Sequence, residues 1–115
     1  LIESIDGLGD YLIVGCLVDR NLRDLNEYTF LKDRNGEIIE DNNLYLNFTV
    51  EDDTGAIMCT INRWKFEELG GRAIAEQGKV GESWYLIKGK IKNQWRKIEV
   101  EAIFNLTEQF GSLAM

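Results

Sequence analysis

The sequence predicts an all-β domain: a five-stranded barrel with one short helix between the third and fourth strands. Three observations predict this fold. Apolar residues either alternate with polar ones or run without interruption in five segments of strand length. Between the third and fourth strand segments, the apolar residues have a spacing that is typical of a helix. Proline is absent from all 115 residues, which suits continuously paired strands.

The first three strands are predicted at 11–18, 44–50 and 56–62. The first is apolar at nearly every position, as expected where both faces are covered, and Gly15 in its middle predicts a bend or a bulge. The other two alternate. Their inward side chains would be those of Leu44, Leu46, Phe48, Val50, Ile57, Cys59 and Ile61.

Two turns are marked by composition. The run Glu-Asp-Asp-Thr-Gly at 51–55 predicts a tight hairpin turn in which an aspartate caps the turn through its side chain. The run Asp-Arg-Asn-Gly at 33–36 contains an Asn-Gly pair, which supports the positive φ angles of a type I′ turn. It predicts either a second β-hairpin or a mobile loop with the same turn.

Residues 63–77 predict the helix, with Gly70-Gly71 interrupting it, so that one short helix or two broken turns are expected. The fourth and fifth strands are predicted at 84–92 and 95–106. On the fourth, the inward side would hold Tyr85, Ile87, Gly89 and Ile91. On the fifth, it would hold Ile98 and Val100.

A length of 115 residues predicts a single domain, which we place at 10–107, with 1–9 and 108–115 as flanking linker remnants of a longer protein. Two cysteines, Cys16 and Cys59, stand in apolar runs and are expected to be buried reduced thiols. The acidic start lacks the features of a signal peptide, and no apolar run is long enough to span a bilayer. We therefore expect a cytoplasmic protein with no membrane partner.

The net charge of −7 is unevenly distributed. Residues 1–60 hold 4 Lys/Arg and 13 Asp/Glu, whereas residues 61–115 hold 9 Lys/Arg and 7 Asp/Glu. Five of these cations fall within 88–97, where no acid interrupts them. A polyanion should therefore be attracted to the second half of the chain rather than to the protein as a whole.

The motifs resemble a known family. The pattern Phe-x-Val-Glu-Asp-x-Thr-Gly-x-Ile at 48–57 resembles the hairpin between the second and third strands of OB-fold domains of the anticodon-binding type. That family includes the OB domain of bacterial DNA polymerase III alpha subunits. The pattern Gly-Glu-x-x-Tyr-Leu-Ile-Lys-Gly-Lys-Ile at 81–91 resembles its fourth strand. The resemblance covers nearly the whole chain and implies a five-stranded Greek-key OB-fold barrel that binds single-stranded DNA or RNA.

An OB barrel binds single strands on the outward faces of its second and third strands, with loops at the edges. Here these faces form what we call the platform, which consists of Tyr45, Asn47, Thr49, Met58 and Thr60. Beside it lies what we call the basic edge, which consists of Lys88, Lys90, Lys92, Trp95, Arg96 and Lys97. Arg63, at the end of the third strand, completes the candidate site, and Trp64 follows it in the chain.

Each of these residues also has a purely structural interpretation. Tyr45 is either a stacking residue or a surface residue that suits a strand. Alternating lysines either contact phosphates or simply solvate a strand face and deter aggregation. Trp95, next to a tight connection, is the best stacking candidate, whereas Trp64 and Trp84 are interpreted as packing residues.

Catalysis is not expected, because the chain has no histidine and no nucleophile or phosphate-loop motif. No metal and no cofactor are expected either, since the acids at 51–53 match a structural turn. We therefore interpret the chain as an accessory single-strand-binding domain that works with other domains or subunits of a replication assembly. The alternative is a protein-interaction module that docks partners through its acidic first half and the loop at 23–43.

Overall fold

The computed structural model describes residues 1–24, 44–92 and 95–107. Five strands close into one barrel in the order β1-β2-β3-β5-β4, and the helix α1 lies between β3 and β4. This order, with the helix in this position, is that of the OB fold, so the predicted fold class is confirmed. The elements are β1 (Gly9–Asp24), β2 (Leu44–Asp52), β3 (Gly55–Ile61), α1 (Gly71–Gln77), β4 (Trp84–Ile91) and β5 (Lys97–Asn105).

Strand β1 divides its length between two partners. Its first half pairs antiparallel with β4 and its second half pairs antiparallel with β2, and Cys16 belongs to both ladders. A parallel contact between β3 and β5, around Cys59 and Ile98, closes the barrel. The outward faces of β2, β3 and β5 therefore form one continuous surface.

Strand β1 is longer than predicted: it continues past Val18 to Asp24 through mostly polar residues. Its ladder with β2 is irregular between Leu17 and Asp19, so the bulge lies there and not at Gly15. Gly15 is needed for another reason. A Cβ atom at this position would lie 2.8 Å from the Cβ of Val50, so only glycine allows β1 to cross β2 this closely.

The helix is shorter than predicted, because residues 63–70 form turns and α1 begins only at Gly71. Gly70 has a φ of +73°, a conformation that favours glycine. A Cβ atom at Gly71 would lie 2.5 Å from the ring of Phe66. The two glycines thus allow the chain to turn tightly over Phe66 before the helix starts.

The core is continuous through the barrel and includes nearly all the residues expected from strand alternation, whereas Leu44 is partly buried and packs against it. Leu46, Phe48, Val50, Ile57, Ile61, Ile87 and Val100 are all buried, which confirms the predicted strand faces. Both cysteines are buried and free, as predicted. Burial raises the pKa of the Cys59 thiol to about 12, so this group stays protonated and unreactive.

The first residues belong to the packed structure, although we expected 1–9 to be a linker remnant. Ile2 and Ile5 are buried members of the core, and Ile2–Ser4 form a short 3-10 helix. Arg96 fixes this segment, since its guanidinium donates to the carbonyl of Ile2 at 3.0 Å and to that of Ala56 at 2.7 Å. The residues predicted as a hairpin or loop at 33–36, and those at 108–115, lie outside the described residues.

Asp52 organises the turn between β2 and β3, as the turn motif predicts. One carboxylate oxygen accepts hydrogen bonds from the amides of Thr54 and Gly55 and from the Thr54 hydroxyl. The other oxygen accepts from the amide of Ile2 at 2.8 Å. The Thr54 hydroxyl, the Ile2 amide and the other donors lower the pKa of the Asp52 carboxyl from 3.8 to about 2.

We expect Asp52→Asn to lower the melting temperature at neutral pH, because an amide cannot accept all four of these hydrogen bonds. Folding depresses the pKa of this carboxyl, so its contribution is full above about pH 4 and disappears as the pH falls toward about 2. Thermal unfolding of the wild type and of the Asp52→Asn variant should therefore show a difference in melting temperature that becomes smaller as the pH falls through this range. Asp53→Asn is the matched control, since Asp53 is exposed and should leave the melting temperature unchanged.

In the described part of the chain, no helix has both the length and the apolar character needed to cross a membrane.

Candidate nucleic-acid interface

The platform is an uncharged surface on the outward side of β2 and β3. Asn47 lies opposite Thr60, and Thr49 lies opposite Met58. Strand β5 extends the surface on the far side, because Lys97 pairs with Met58 and Glu99 pairs with Thr60. The structure thus brings all five platform residues together and adds Glu99, an acid that the sequence analysis did not include.

Tyr45 and Trp64 line a shallow groove at one end of the platform. It has a volume of about 170 Å³ and is lined by Tyr45, Thr60, Asn62, Arg63 and Trp64. The Arg63 guanidinium lies 4.6 Å from the centroid of the Trp64 ring, within the range of a cation–π contact. Because 74% of Trp64 is exposed, the interpretation of this residue as a packing residue is wrong.

Asn62 positions the end of this groove. Its side-chain oxygen accepts from the amide of Lys65 at 3.1 Å, which fixes the turn after β3. Its side-chain nitrogen donates to Glu99 on β5 at 3.3 Å. Arg63 and Trp64 therefore project from a turn that is anchored to two strands.

Asn47 is an incompletely satisfied polar group at the centre of the platform. Its side-chain oxygen is buried, and no donor within the described residues reaches it. Burying an acceptor without a donor costs free energy, so this side chain is a local source of instability in the platform.

The basic edge is much less positive than its sequence suggests. Lys90 lies 3.6 Å from Asp10 and 3.5 Å from Glu101. The charges of Glu101 and Asp10 raise the pKa of the Lys90 ammonium group. Lys92 lies 3.3 Å from Glu99. These acids come from neighbouring strands, so the absence of acids within 88–97 does not produce an unbalanced positive field.

The other members of the basic edge divide into two groups. Within the described residues, Lys88 and Lys97 have no ion-pair partner, and Lys97 borders the platform. Arg96 is committed to the two backbone carbonyls named above. Trp95 is 66% exposed and lines a separate groove of about 460 Å³ with Ile5, Asp6, Gly7, Leu8, Ile91 and Arg96, away from Tyr45.

The acids at 51–53 lie at the end of β2 and in the turn that follows it. Asp52 uses its carboxylate inside the turn, and no group of three or more His, Cys, Asp or Glu residues among the described residues is placed to hold a metal ion.

A likeness to a solved structure agrees with the fold. No protein-family model and no curated protein matches the sequence. A chain in the crystal structure of yeast Stn1 and Ten1 superposes with a TM-score of 0.57 at 11% identity, over 91% of this chain and 48% of that one. The hypothetical protein ygiW from E. coli gives a TM-score of 0.48 at 15% identity, over 90% of this chain and 82% of that one. This chain spans about half of the yeast chain, and at such identity the likeness shows the fold alone.

Proposed function

We propose that this domain binds single-stranded DNA or RNA across the platform, with a base stacked at Tyr45 and Trp64. The observation that carries the proposal is the groove in which a tyrosine, an exposed tryptophan and an arginine meet on the β2–β3 face. This is the face that OB barrels use for oligonucleotides. Aromatic rings stack on bases of any sequence, and a guanidinium contributes a charge for the adjacent phosphate.

The charge distribution supports weak rather than tight binding. Lys90, Lys92 and Arg96 are already engaged within the protein, and Lys88 lies opposite Leu12 on β1, away from the platform, so Arg63 and Lys97 remain as described cations beside the site. Each neutralised phosphate contributes about 0.7 to the salt slope for a single strand, so two contacts predict a slope of roughly −1.4. Affinity should be on the order of 10⁻⁴–10⁻⁶ M at physiological salt.

The proposed setting is a larger protein of DNA replication, such as a polymerase III alpha-type subunit, in the cytoplasm. Its support is the resemblance of the motifs at 48–57 and 81–91 to the OB domain of those subunits. In that setting this domain would hold a single-stranded template for the other domains.

Fluorescence anisotropy with labelled dT and U oligomers, at several salt concentrations, tests the proposal. We expect binding that weakens as salt rises. An absence of binding at low salt, where electrostatic attraction is strongest, would overturn the function proposed for this chain. Comparing the two oligomers also distinguishes DNA from RNA as the ligand.

Lys97 and Lys90 provide a matched pair of charges for a second prediction. We expect Lys97→Gln to weaken oligomer binding and to reduce the magnitude of the salt slope by about 0.7, because one phosphate contact is lost. Lys90→Gln should change the slope less, since Asp10 and Glu101 already balance that charge. The same anisotropy titrations measure both. Equal effects of the two substitutions would contradict the assignment of Lys97 to the site.

A further inference from the structure

An apolar surface lies on the outward side of β1, β4 and β5, on strands that carry none of the platform residues. We call it the Trp84 face; it consists of Leu12, Val14, Trp84, Leu86 and Phe104. Val14 lies opposite Leu86, and Leu86 lies opposite Phe104, so their side chains form one cross-strand row. Leu12 is 67% exposed and Phe104 59%, and Lys88, which lies opposite Leu12, bounds the face at the end away from Trp84. Scattered apolar residues are ordinary on a surface, but a contiguous cluster marks an interaction site.

Trp84 also borders a groove that extends this face toward the β2–β3 turn. The groove has a volume of about 410 Å³, and Leu1, Leu12 and Val14 contribute to its apolar walls. Asp52 and Asp53 are its charged lining residues. Asp52 is held by its internal hydrogen bonds, whereas Asp53 is exposed, so the groove places an accessible negative charge beside an apolar slot.

Further acids surround the same end of the face. Cys16 lies directly opposite both Trp84 and Glu51. Burial raises the pKa of the Cys16 thiol, and the negative charge of Glu51 raises it further. Glu82 stands two residues before Trp84, and the Thr107 hydroxyl bridges them by donating to the Glu82 carbonyl and accepting from the Trp84 amide. The Trp84 end of the face therefore repels phosphates and attracts Lys or Arg side chains.

We propose that the Trp84 face binds a basic amphipathic helix of a partner protein. Strand β4, at the centre of this face, is paired with β1 on one side and with β5 on the other, so recognition there uses side chains rather than strand addition. A row of apolar side chains suits the apolar stripe of a helix, and the carboxylate of Asp53 pairs with a Lys or Arg beside it. With a charge of −7 on each chain, a basic partner is favoured over a second copy.

The test uses the whole chain and a synthetic helical peptide of about 18 residues, with leucines at helical spacing and lysines elsewhere. Calorimetric titration should show saturable binding. Trp84→Ala should weaken it about tenfold, as expected for a central aromatic contact. Asp53→Asn should weaken it less and make it less sensitive to salt. Trp64→Ala, which removes a tryptophan from the platform, should leave peptide binding unchanged.

Controls separate this site from general attraction to an acidic protein. A peptide of the same composition in scrambled order keeps the charge but loses the apolar stripe, so it should bind at least about tenfold more weakly. Phe104→Ala gives a second, independent variant on the same face, and circular dichroism verifies that both variants are folded. Equal binding of the two peptides, or unchanged binding in both variants, would overturn the proposal.

Two other occupants of the face have distinct signatures. A concentration-dependent dimer in sedimentation velocity that Trp84→Ala abolishes would show that a second copy covers the face, and the proposal would be wrong. Loss of dT binding in Trp84→Ala, with binding retained in Trp64→Ala, would show that the oligonucleotide uses this face. Because the two proposals share no residue, failure of oligonucleotide binding at the platform leaves the peptide test unaffected.

Discussion

Replacing Phe48 with alanine should reduce the free energy of unfolding by about 3–5 kcal/mol. The ring is fully buried, at 0% exposure, in the middle of β2, and its neighbours across the ladders are Cys59 and Arg20. The barrel is closed around this position, so the surrounding strands cannot collapse easily into the cavity. Single domains are stable by only about 5–15 kcal/mol, so the loss should be visible in any denaturation experiment.

Phe104→Ala is the matched control, because it deletes the same ring from a strand of the same barrel. Phe104 is 59% exposed on β5, so we expect its replacement to change the free energy of unfolding by less than about 1 kcal/mol. Urea titration followed by circular dichroism measures both variants under identical conditions. Equal stabilities of the Phe48→Ala variant and the wild type would show that β2 does not direct this residue inward.

The alternating strands were predictable because their period of two assigns each residue to a face without further information. This is why Leu46, Phe48 and Val50 were assigned correctly to the core. The end of β1 was not predictable in this way. Residues 19–24 are mostly polar, and pairing with β2 rather than burial keeps them extended.

The charge balance of the basic edge depends on contacts that no local pattern contains. Asp10 meets Lys90 because β1 and β4 pair in a particular register, and Glu99 meets Lys92 across the β4–β5 hairpin. The burial of Ile2 has a similar origin, since Arg96 and Asp52 bind the backbone of that residue from distant parts of the chain. Composition along the chain shows which charges exist, but the register decides which of them are paired.

Trp64 illustrates a different limit. A tryptophan inside an apolar, helix-like segment is usually a core residue, but the turn set by Asn62 precedes α1 and directs Trp64 to the surface. The sequence feature that argued against a long helix was Gly70-Gly71. Because of these glycines, α1 begins only after the buried Phe66. Phe66 is therefore the aromatic residue of this segment that packs in the core, and Trp64 lies on the surface beside Arg63.

Removing the rings of Tyr45 and Trp64 together should abolish measurable oligonucleotide binding. Stacking contributes roughly 1–3 kcal/mol for each base, and wild-type affinity is expected to be weak from the start. Each single alanine variant should therefore lose part of the affinity while the salt slope stays nearly constant, since no phosphate contact is removed. Anisotropy titrations of the two single variants and the double variant measure these losses.

Two further variants make this last result specific. Tyr45→Phe keeps the ring and should retain binding, which separates stacking from any hydrogen bond of the hydroxyl group. Trp84→Ala removes a tryptophan from a different face of the barrel and should also leave oligonucleotide affinity unchanged. If the double variant binds dT as well as the wild type does, the base does not stack at this groove. Trp95, which lines the separate groove near Ile91, would then be the aromatic residue to test.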